Sequence, residues 1–150
     1  APKLGLHLFD LPQVAPAARE RFAAHGLSDR ATITSGSFRT DPLPRGADAI
    51  SLVRVLYDHS DDTVRMLLAK AHAALGAGGR LVVSEPMPGG DAPTRAGDAY
   101  FAIYCMAMRT GRARSAAEIG ALLHAAGFAD VETPHSARAF VTSVVTARKV

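Results

Sequence analysis

Residues 47–84 contain the pattern that most constrains the fold, because an apolar strand, an amphipathic helix and a second apolar strand follow one another closely. The apolar run 47–56 is typical of a buried parallel strand. Asp61 is the expected N-cap of the helix, whose apolar side chains share one face: Val64, Leu67, Leu68, Ala71 and Leu75. The glycine-rich stretch 76–79 ends this helix, and residues 80–84 form the next strand. This order predicts a βαβ unit.

The same alternation extends over the rest of the chain. We expect strands at 4–9, 31–35, 128–133 and 139–147, and helices at 14–25, 98–108 and 115–127. Gly26 is placed to end the first of these helices, and Ser115 with Glu118 has the spacing of a capping box. Strands that alternate with helices predict a doubly wound α/β fold, with a parallel sheet covered by helices on both faces.

Composition narrows the classes of protein to which the chain can belong. A length of 150 residues with 48% apolar side chains fits a single globular domain, and no apolar run is long enough to span a membrane. The net charge of +3 comes from scattered basic residues, which argues against a nucleic-acid surface. Without a signal-like amino terminus we expect a cytoplasmic protein and a start inside a larger chain. Cys105 is the only cysteine and is expected to be a buried, inert thiol.

Ligands of doubly wound sheets bind at the carboxyl ends of strands, so the residues after each strand are the candidate site. The Asp10 carboxylate can accept hydrogen bonds from both hydroxyls of a ribose. Alternatively, it is an acid at a helix amino terminus that interacts favourably with the helix dipole. Gly36, Ser37 and Phe38 offer a close backbone approach, a hydroxyl and an aromatic face for adenine, although such a Phe is also a common core residue. Arg54 is expected to be a buried guanidinium that needs an anionic or carbonyl partner.

Two further groups follow strands and carry acid/base chemistry. General acid/base groups for a substrate hydroxyl can come from the segment Tyr57-Asp58-His59 and from Glu85. The alternative is an acidic helix-capping turn for the first group and a surface carboxylate for Glu85. The remaining histidines lack metal-ligand spacing and are expected to be structural or solvated: His7, His25, His72, His124 and His135.

An ordered set of motifs resembles the S-adenosylmethionine-dependent small-molecule O-methyltransferases over nearly the whole chain. In chain order, the motifs are Phe9-Asp10-Leu11-Pro12, Gly36-Ser37-Phe38, the segment from Arg54 to Asp61, the segment from Gly79 to Glu85, Gly111-Arg112-Ala113-Arg114-Ser115, and Ala126-Gly127-Phe128. The resemblance implies that residues 1–150 are part of a cofactor-binding catalytic domain with a Rossmann-like sheet. It also implies that the first strand and the glycine-rich loop precede Ala1, so that this piece alone is inactive.

The resemblance assigns roles to the candidate residues. It implies that Asp10 holds the ribose of S-adenosylmethionine, that Gly36, Ser37 and Phe38 surround the adenine, and that Arg54 contacts the cofactor. It further implies that Tyr57 and Glu85 are the catalytic pair, in which Glu85 steadies the base.

Three positions depart from the family pattern. The family usually has Asp where Ser37 stands, His as the general base where Tyr57 stands, and a second Glu where Ala113 stands. A phenol ionises near pH ~10 and an imidazole near ~6.5, so Tyr57 changes the mechanism or moves the base. Proton removal late in the reaction, assisted by Tyr57 or Glu85, is compatible with this change.

The later segments 107–119 and 140–143 are similar to family members that methylate the tertiary hydroxyl of acyclic carotenoids. This implies a lipophilic hydroxylated substrate, contact with a membrane surface, and a homodimer formed by the full-length protein. The apolar stretch Tyr100 to Met108 is a core helix or one wall of a lipophilic tunnel. Two other classes stay open: a nicotinamide-dependent oxidoreductase, because of Asp10, and a methyltransferase-like binding domain without turnover, because of Tyr57 and Ala113.

Overall fold

A computed structural model gives the fold and describes residues 3–89, 95–135 and 142–150. The strands are β1 (Leu6–Asp10), β2 (Ala31–Ser35), β3 (Ala49–Val53), β4 (Arg80–Glu85), β5 (Phe128–Glu132) and β6 (Ser143–Lys149). The α-helices are α1 (Ala15–Ala24), α2 (Asp61–Ala74), α3 (Arg95–Met108) and α4 (Ala116–Ala125). The predicted strand at 139–147 corresponds to β6, while its residues 139–141, including Phe140 and Val141 of the carotenoid-type motif, lie outside the described ranges.

The strands form an α/β arrangement with two sheets, ordered β1-β2 and β3-β4-β6-β5. The pairs β1-β2 and β3-β4 are parallel, as predicted. The expectation of a parallel sheet is wrong for β6, which runs antiparallel to both β4 and β5. The connection 133–142 is too short for the crossover that a parallel neighbour of β5 would need.

Helix α2 supplies the main core contact, and its predicted apolar stripe is confirmed. Its stripe side chains are at most 2% exposed and pack against Leu81 and Val83 of β4: Val64, Leu67, Leu68, Ala71 and Leu75. Burial of each large member contributes roughly 1.5–3 kcal/mol. The expected N-cap at Asp61 is wrong by one residue, because Ser60 has extended backbone and its Oγ accepts the Thr63 N–H at 3.4 Å.

The two shorter helices, α1 and α4, differ in the capping of their ends and in the burial of their side chains. The capping box of α4 is confirmed, with Ser115 and Glu118 bonding each other's backbone N–H groups. Helix α1 ends before Gly26, which has a φ of +63° as a helix-terminating glycine requires. Ala15 is the one buried residue of α1, so most of its expected apolar face is not covered by the described residues.

Helix α3 is apolar on two sides, and only one of them is packed against residues that the structure describes. Phe101 and Cys105 are buried, whereas Tyr100, Ile103 and Met106 are 61%, 66% and 78% exposed. The buried thiol expected at Cys105 is confirmed, and burial raises its pKa. Among the helices of the described ranges, none combines the length and the hydropathy that crossing a bilayer requires.

Candidate functional site

The ends of β1 and β2 bring Asp10 and Gly36 together. Because β1 and β2 pair in parallel with Asp10 opposite Ser35, the Gly36 N–H donates to the Asp10 carbonyl at 2.9 Å. The Asp10 Oδ1 accepts the N–H of Leu11 at 2.7 Å. Asp10 therefore projects its carboxylate from the carboxyl edge of the small sheet, beside the loop that begins at Gly36.

The loop after β2 is tightly built around Gly36 and Ser37. A Cβ on Gly36 would lie 2.6 Å from the Phe9 ring, so the close approach expected of this glycine is made to Phe9. The Ser37 N–H donates to Oδ2 of Asp41 at 2.8 Å. A carboxylate thus lies beside Ser37, although residue 37 itself lacks the acid that the family usually places there.

Phe38 connects this loop to the rest of the protein. Its half-buried ring packs against the main core and meets the His59 ring edge-on, with centroids 5.2 Å apart. Lys70 of α2 donates from Nζ to the Phe38 carbonyl at 2.6 Å and to the Asp41 carbonyl at 2.9 Å. Asp10, the loop 36–38 and the segment that carries His59 therefore lie on one side of the molecule.

Arg54 follows β3 and does not lie where burial was expected. Its side chain is exposed, and its backbone has a φ of +55°, in the left-handed region that disfavours side chains. Its Nη2 donates to the Tyr57 hydroxyl at 3.3 Å, and its guanidinium carbon lies 5.7 Å from the Tyr57 ring and 5.8 Å from the Phe101 ring. The partner of Arg54 is thus a phenol and two aromatic faces.

Tyr57 is the centre of an aromatic cluster with Phe101 and Tyr104. It is 5% exposed, and its ring centroid lies 6.0 Å from that of Phe101 and 5.5 Å from that of Tyr104. A hydrogen bond with Tyr57 raises the pKa of Tyr104. The Arg54 guanidinium and the Tyr104 ring therefore both contact Tyr57.

Glu85 lies at the end of β4 and is 1% exposed, so its interpretation as a surface carboxylate is wrong. Its Oε1 accepts the N–H groups of Val55 and Leu56, both at 2.7 Å. Its Oε2 is buried and has no hydrogen-bond partner within the described ranges. Burial raises the pKa of Glu85. The carboxyl group therefore holds the backbone that leads into the 3₁₀ turn Leu56–Asp58.

His59 and Asp58 complete the strand-end segment. The His59 Nδ1 lies 3.3 Å from Nη2 of Arg39, and burial, then the charge of Arg39, lowers the pKa of His59. Asp58 has a buried Oδ1 without a partner among the described residues. No cluster of metal-ligand side chains occurs in the described ranges.

Sequence reasoning missed the buried guanidinium that the site does contain, which is Arg114 rather than Arg54. Arg114 is 2% exposed and bonds Asp61 and three backbone carbonyls. It stands in a motif that resembles the family, but its burial has no signature in a single sequence. Tyr104 was missed because its helical stretch was assigned to core or tunnel as a whole.

Residues 1–129 match the O-methyltransferase domain. The chain is 56% identical to demethylspheroidene O-methyltransferase of Cereibacter sphaeroides over 97% of its length, and 54% identical to that of Rhodobacter capsulatus over 99%. It spans 38% and 36% of the length of these relatives. The crystal structure of human N-acetylserotonin methyltransferase in complex with SAM superposes with a TM-score of 0.86 at 26% identity, covering 99% of this chain and 41% of that one.

Proposed function

Because the chain belongs to the O-methyltransferase domain family, we propose that the protein containing it transfers a methyl group from S-adenosylmethionine to a hydroxyl of an acyclic carotenoid. The observation that carries the proposal is the 56% identity to demethylspheroidene O-methyltransferase over 97% of the chain. On this proposal, residues 1–150 are the part of the catalytic domain that meets the nucleoside and the substrate hydroxyl.

The residues at the ends of β1 and β2 fit a nucleoside. Asp10 offers a carboxylate to the ribose, and the adjacent Gly36, Ser37 and Phe38 offer backbone, hydroxyl and ring to the adenine. The Asp41 carboxylate at the Ser37 N–H supplies an acceptor close to where the family usually has its acid. Arg54 is the fourth proposed contact and reaches from the end of β3. When bound, the cofactor supplies a methyl group on a positively charged sulfur.

Tyr57 and Glu85 are the proposed catalytic pair. Methyl transfer would require the substrate hydroxyl to lie in line with the donated methyl group and its proton to be removed late in the reaction, with Tyr57 or Glu85 assisting that removal. Tyr57 orients that hydroxyl with a phenol whose position Arg54 and Tyr104 restrict. Glu85 holds the backbone before Tyr57 through Val55 and Leu56. Such positioning of reacting groups can lower the barrier by roughly 7–11 kcal/mol.

The lipophilic class of substrate is supported by α3. Tyr100, Ile103 and Met106 leave an apolar helix face more than half exposed, beside the aromatic cluster around Tyr57. An apolar chain or a membrane surface suits this face better than a polar metabolite. Contact with a membrane surface and dimerisation of the full-length protein belong to the same proposal.

The test uses the intact protein that carries this chain. Incubated with S-adenosylmethionine and demethylspheroidene, it is expected to form the methyl ether, identified by mass spectrometry, and calorimetry is expected to show binding of S-adenosylmethionine. Binding of NAD in its place would identify an oxidoreductase and overturn the proposal. Cofactor binding without turnover would identify the binding-domain alternative that Tyr57 and Ala113 suggest. A Glu85→Ala variant as active as the parent would remove Glu85 from the catalytic pair.

A further inference from the structure

The turn that carries Tyr57 is held at every one of its carbonyl oxygens by side chains from one distant segment. Here the Tyr57 turn means residues 56–59, and the clamp segment means residues 105–114. The donors are Arg114 Nη1 to the Leu56 carbonyl at 2.9 Å, Cys105 Sγ to that of Tyr57 at 3.6 Å, Thr110 Oγ1 to that of Asp58 at 3.1 Å, and Arg114 Nη2 to that of His59 at 2.8 Å. Leu56 and Tyr57 are buried, and a buried backbone carbonyl requires a hydrogen-bond partner, which the clamp segment supplies to each carbonyl of the turn.

Arg114 is built into this position at a considerable cost in desolvation. Its side chain is 1% exposed, and its Nε and Nη2 both donate to Oδ1 of Asp61, at 2.9 and 2.6 Å. The hydrogen bond from Arg114 is the largest influence that lowers the pKa of Asp61. A buried guanidinium persists only when its charge and its N–H donors have partners. Here Asp61 balances the charge, and the carbonyls of Leu56, His59 and Arg112 accept the remaining hydrogen bonds.

The backbone of the clamp segment also touches the Tyr57 turn directly. Gly111 has a φ of +79°, and a Cβ at this position would lie 2.1 Å from the Tyr57 carbonyl oxygen and 2.5 Å from the carbonyl carbon of Asp58. Only glycine permits this approach. On the opposite side, Glu85 accepts the N–H groups of Val55 and Leu56. The Tyr57 turn is thus held at its carbonyls by the clamp segment and at its entrance by Glu85.

We propose that Arg114 and Thr110 are positioning residues that place the Tyr57 hydroxyl for the reaction, through their hydrogen bonds to the carbonyls of the Tyr57 turn. This inference rests on the proposed function of Tyr57. Neither side chain bonds the Tyr57 side chain, so both act on the reaction through the backbone of the turn. Loss of either bond moves the hydroxyl relative to the reacting oxygen, and a displacement of about 1 Å can cost on the order of 100-fold in rate.

The experiment compares Thr110→Val and Arg114→Lys in the intact protein. Thr110→Val keeps the shape of an exposed side chain and removes the bond to the Asp58 carbonyl. Arg114→Lys keeps the charge but cannot reach both carbonyls and Asp61 at once. Arg65→Lys is the matched control, because Arg65 pairs with Asp62 at 3.1 Å on the exposed face of α2, away from the turn.

Two readouts are measured, steady-state methyl transfer and amide hydrogen exchange of the peptide spanning 55–59. We expect kcat to fall by about 3- to 10-fold in Thr110→Val and by about 10- to 100-fold in Arg114→Lys, with the KM for S-adenosylmethionine within about twofold. Exchange in 55–59 is expected to accelerate in both variants and to stay unchanged in Arg65→Lys.

Other outcomes would overturn the inference. Unchanged kcat in Thr110→Val, or unchanged exchange in 55–59, shows that the bonds do not position the turn. If Arg114→Lys fails to fold, Thr110→Val decides the result. If the parent protein transfers no methyl group, the proposed function fails, and the exchange measurement still decides whether these side chains hold the turn.

Discussion

Arg54 donates a hydrogen bond to the hydroxyl of Tyr57 at 3.3 Å while its own backbone adopts a left-handed φ of +55°. A non-glycine residue in this region costs roughly 1–2 kcal/mol, and the surrounding structure must compensate for that cost. Arg54 directly follows β3, and its guanidinium lies over the ring of Tyr57, which is three residues further along the chain. The left-handed backbone of Arg54 and its contact with Tyr57 both lie in the turn between β3 and α2.

The strain at Arg54 predicts the relative stability of two variants that both remove its guanidinium. Arg54→Gly is expected to be more stable than Arg54→Ala by about 1 kcal/mol, because glycine adopts the left-handed region without steric cost. The free energy of unfolding from urea titration measures the difference. Equal stability of the two variants would contradict the strained backbone at residue 54.

Tyr57 allows the hydroxyl to be separated from the ring. Tyr57→Phe keeps the packing against Phe101 and Tyr104, so we expect a folded protein with kcat reduced by about 10- to 100-fold. Tyr57→His restores the base that the family usually carries, and activity that rises with pH through about 6.5 is expected. The pH dependence of kcat/KM measures both effects. Full activity in Tyr57→Phe would show that the hydroxyl takes no part.

The buried carboxyl group of Glu85 predicts a dependence of stability on pH. Since its pKa is raised in the folded state, stability falls as pH rises from the unfolded value of about 4.3 through the folded value. Glu85→Gln keeps an acceptor for Val55 and Leu56 and removes the charge, so it should gain stability relative to the parent as pH rises. Glu85→Leu removes the acceptor and should cost about 1–3 kcal/mol. Urea unfolding across this pH range distinguishes the two.

Glu118 predicts the opposite pH dependence. Hydrogen bonds from Arg112, then Ser115, lower its pKa to about 2, so its contribution is complete above about pH 4.3 and is lost as pH falls towards 2. Both members of the Arg112–Glu118 pair are nearly half exposed, so Glu118→Gln should cost only about 0.5–1 kcal/mol at neutral pH. Glu132→Gln, at an exposed carboxylate of β5, is the control. If Glu118→Gln is still less stable than the parent at pH ~2, the capping role of the Glu118 carboxylate is contradicted.

The clamp segment approaches the Tyr57 turn so closely at Gly111 that we expect no side chain to be tolerated at this position. Gly111→Ala places a Cβ 2.1 Å from the Tyr57 carbonyl oxygen, and we expect it to destabilise the fold by more than about 3 kcal/mol. Gly46→Ala is the matched control, since its φ is also positive, at +91°, but its Cβ meets no atom within 4 Å. That variant should cost only about 1 kcal/mol. Similar thermal unfolding of the two variants would rule out the close contact.

Local patterns in the sequence were sufficient to predict the elements of the fold. The apolar stripe of α2 identified the core helix, and Ser115 with Glu118 marked the start of α4, because helical spacing and capping depend on residues a few positions apart. The strand ends identified Asp10, Tyr57 and Glu85 as candidates, because chain order in an α/β fold determines which residues reach the carboxyl edge of the sheet.

Only the tertiary structure decided what those residues touch. Nothing in the sequence distinguishes the environments of Arg54 and Arg114. Arg54 is exposed and lies over Tyr57, whereas Arg114 is buried and donates to carbonyls of a turn more than fifty residues away in the chain. Glu85 could be a surface carboxylate by sequence and is fully enclosed in the fold. The burial and the hydrogen-bond partners of these polar side chains arise from contacts between segments far apart in the chain, which the spacing of apolar residues does not specify.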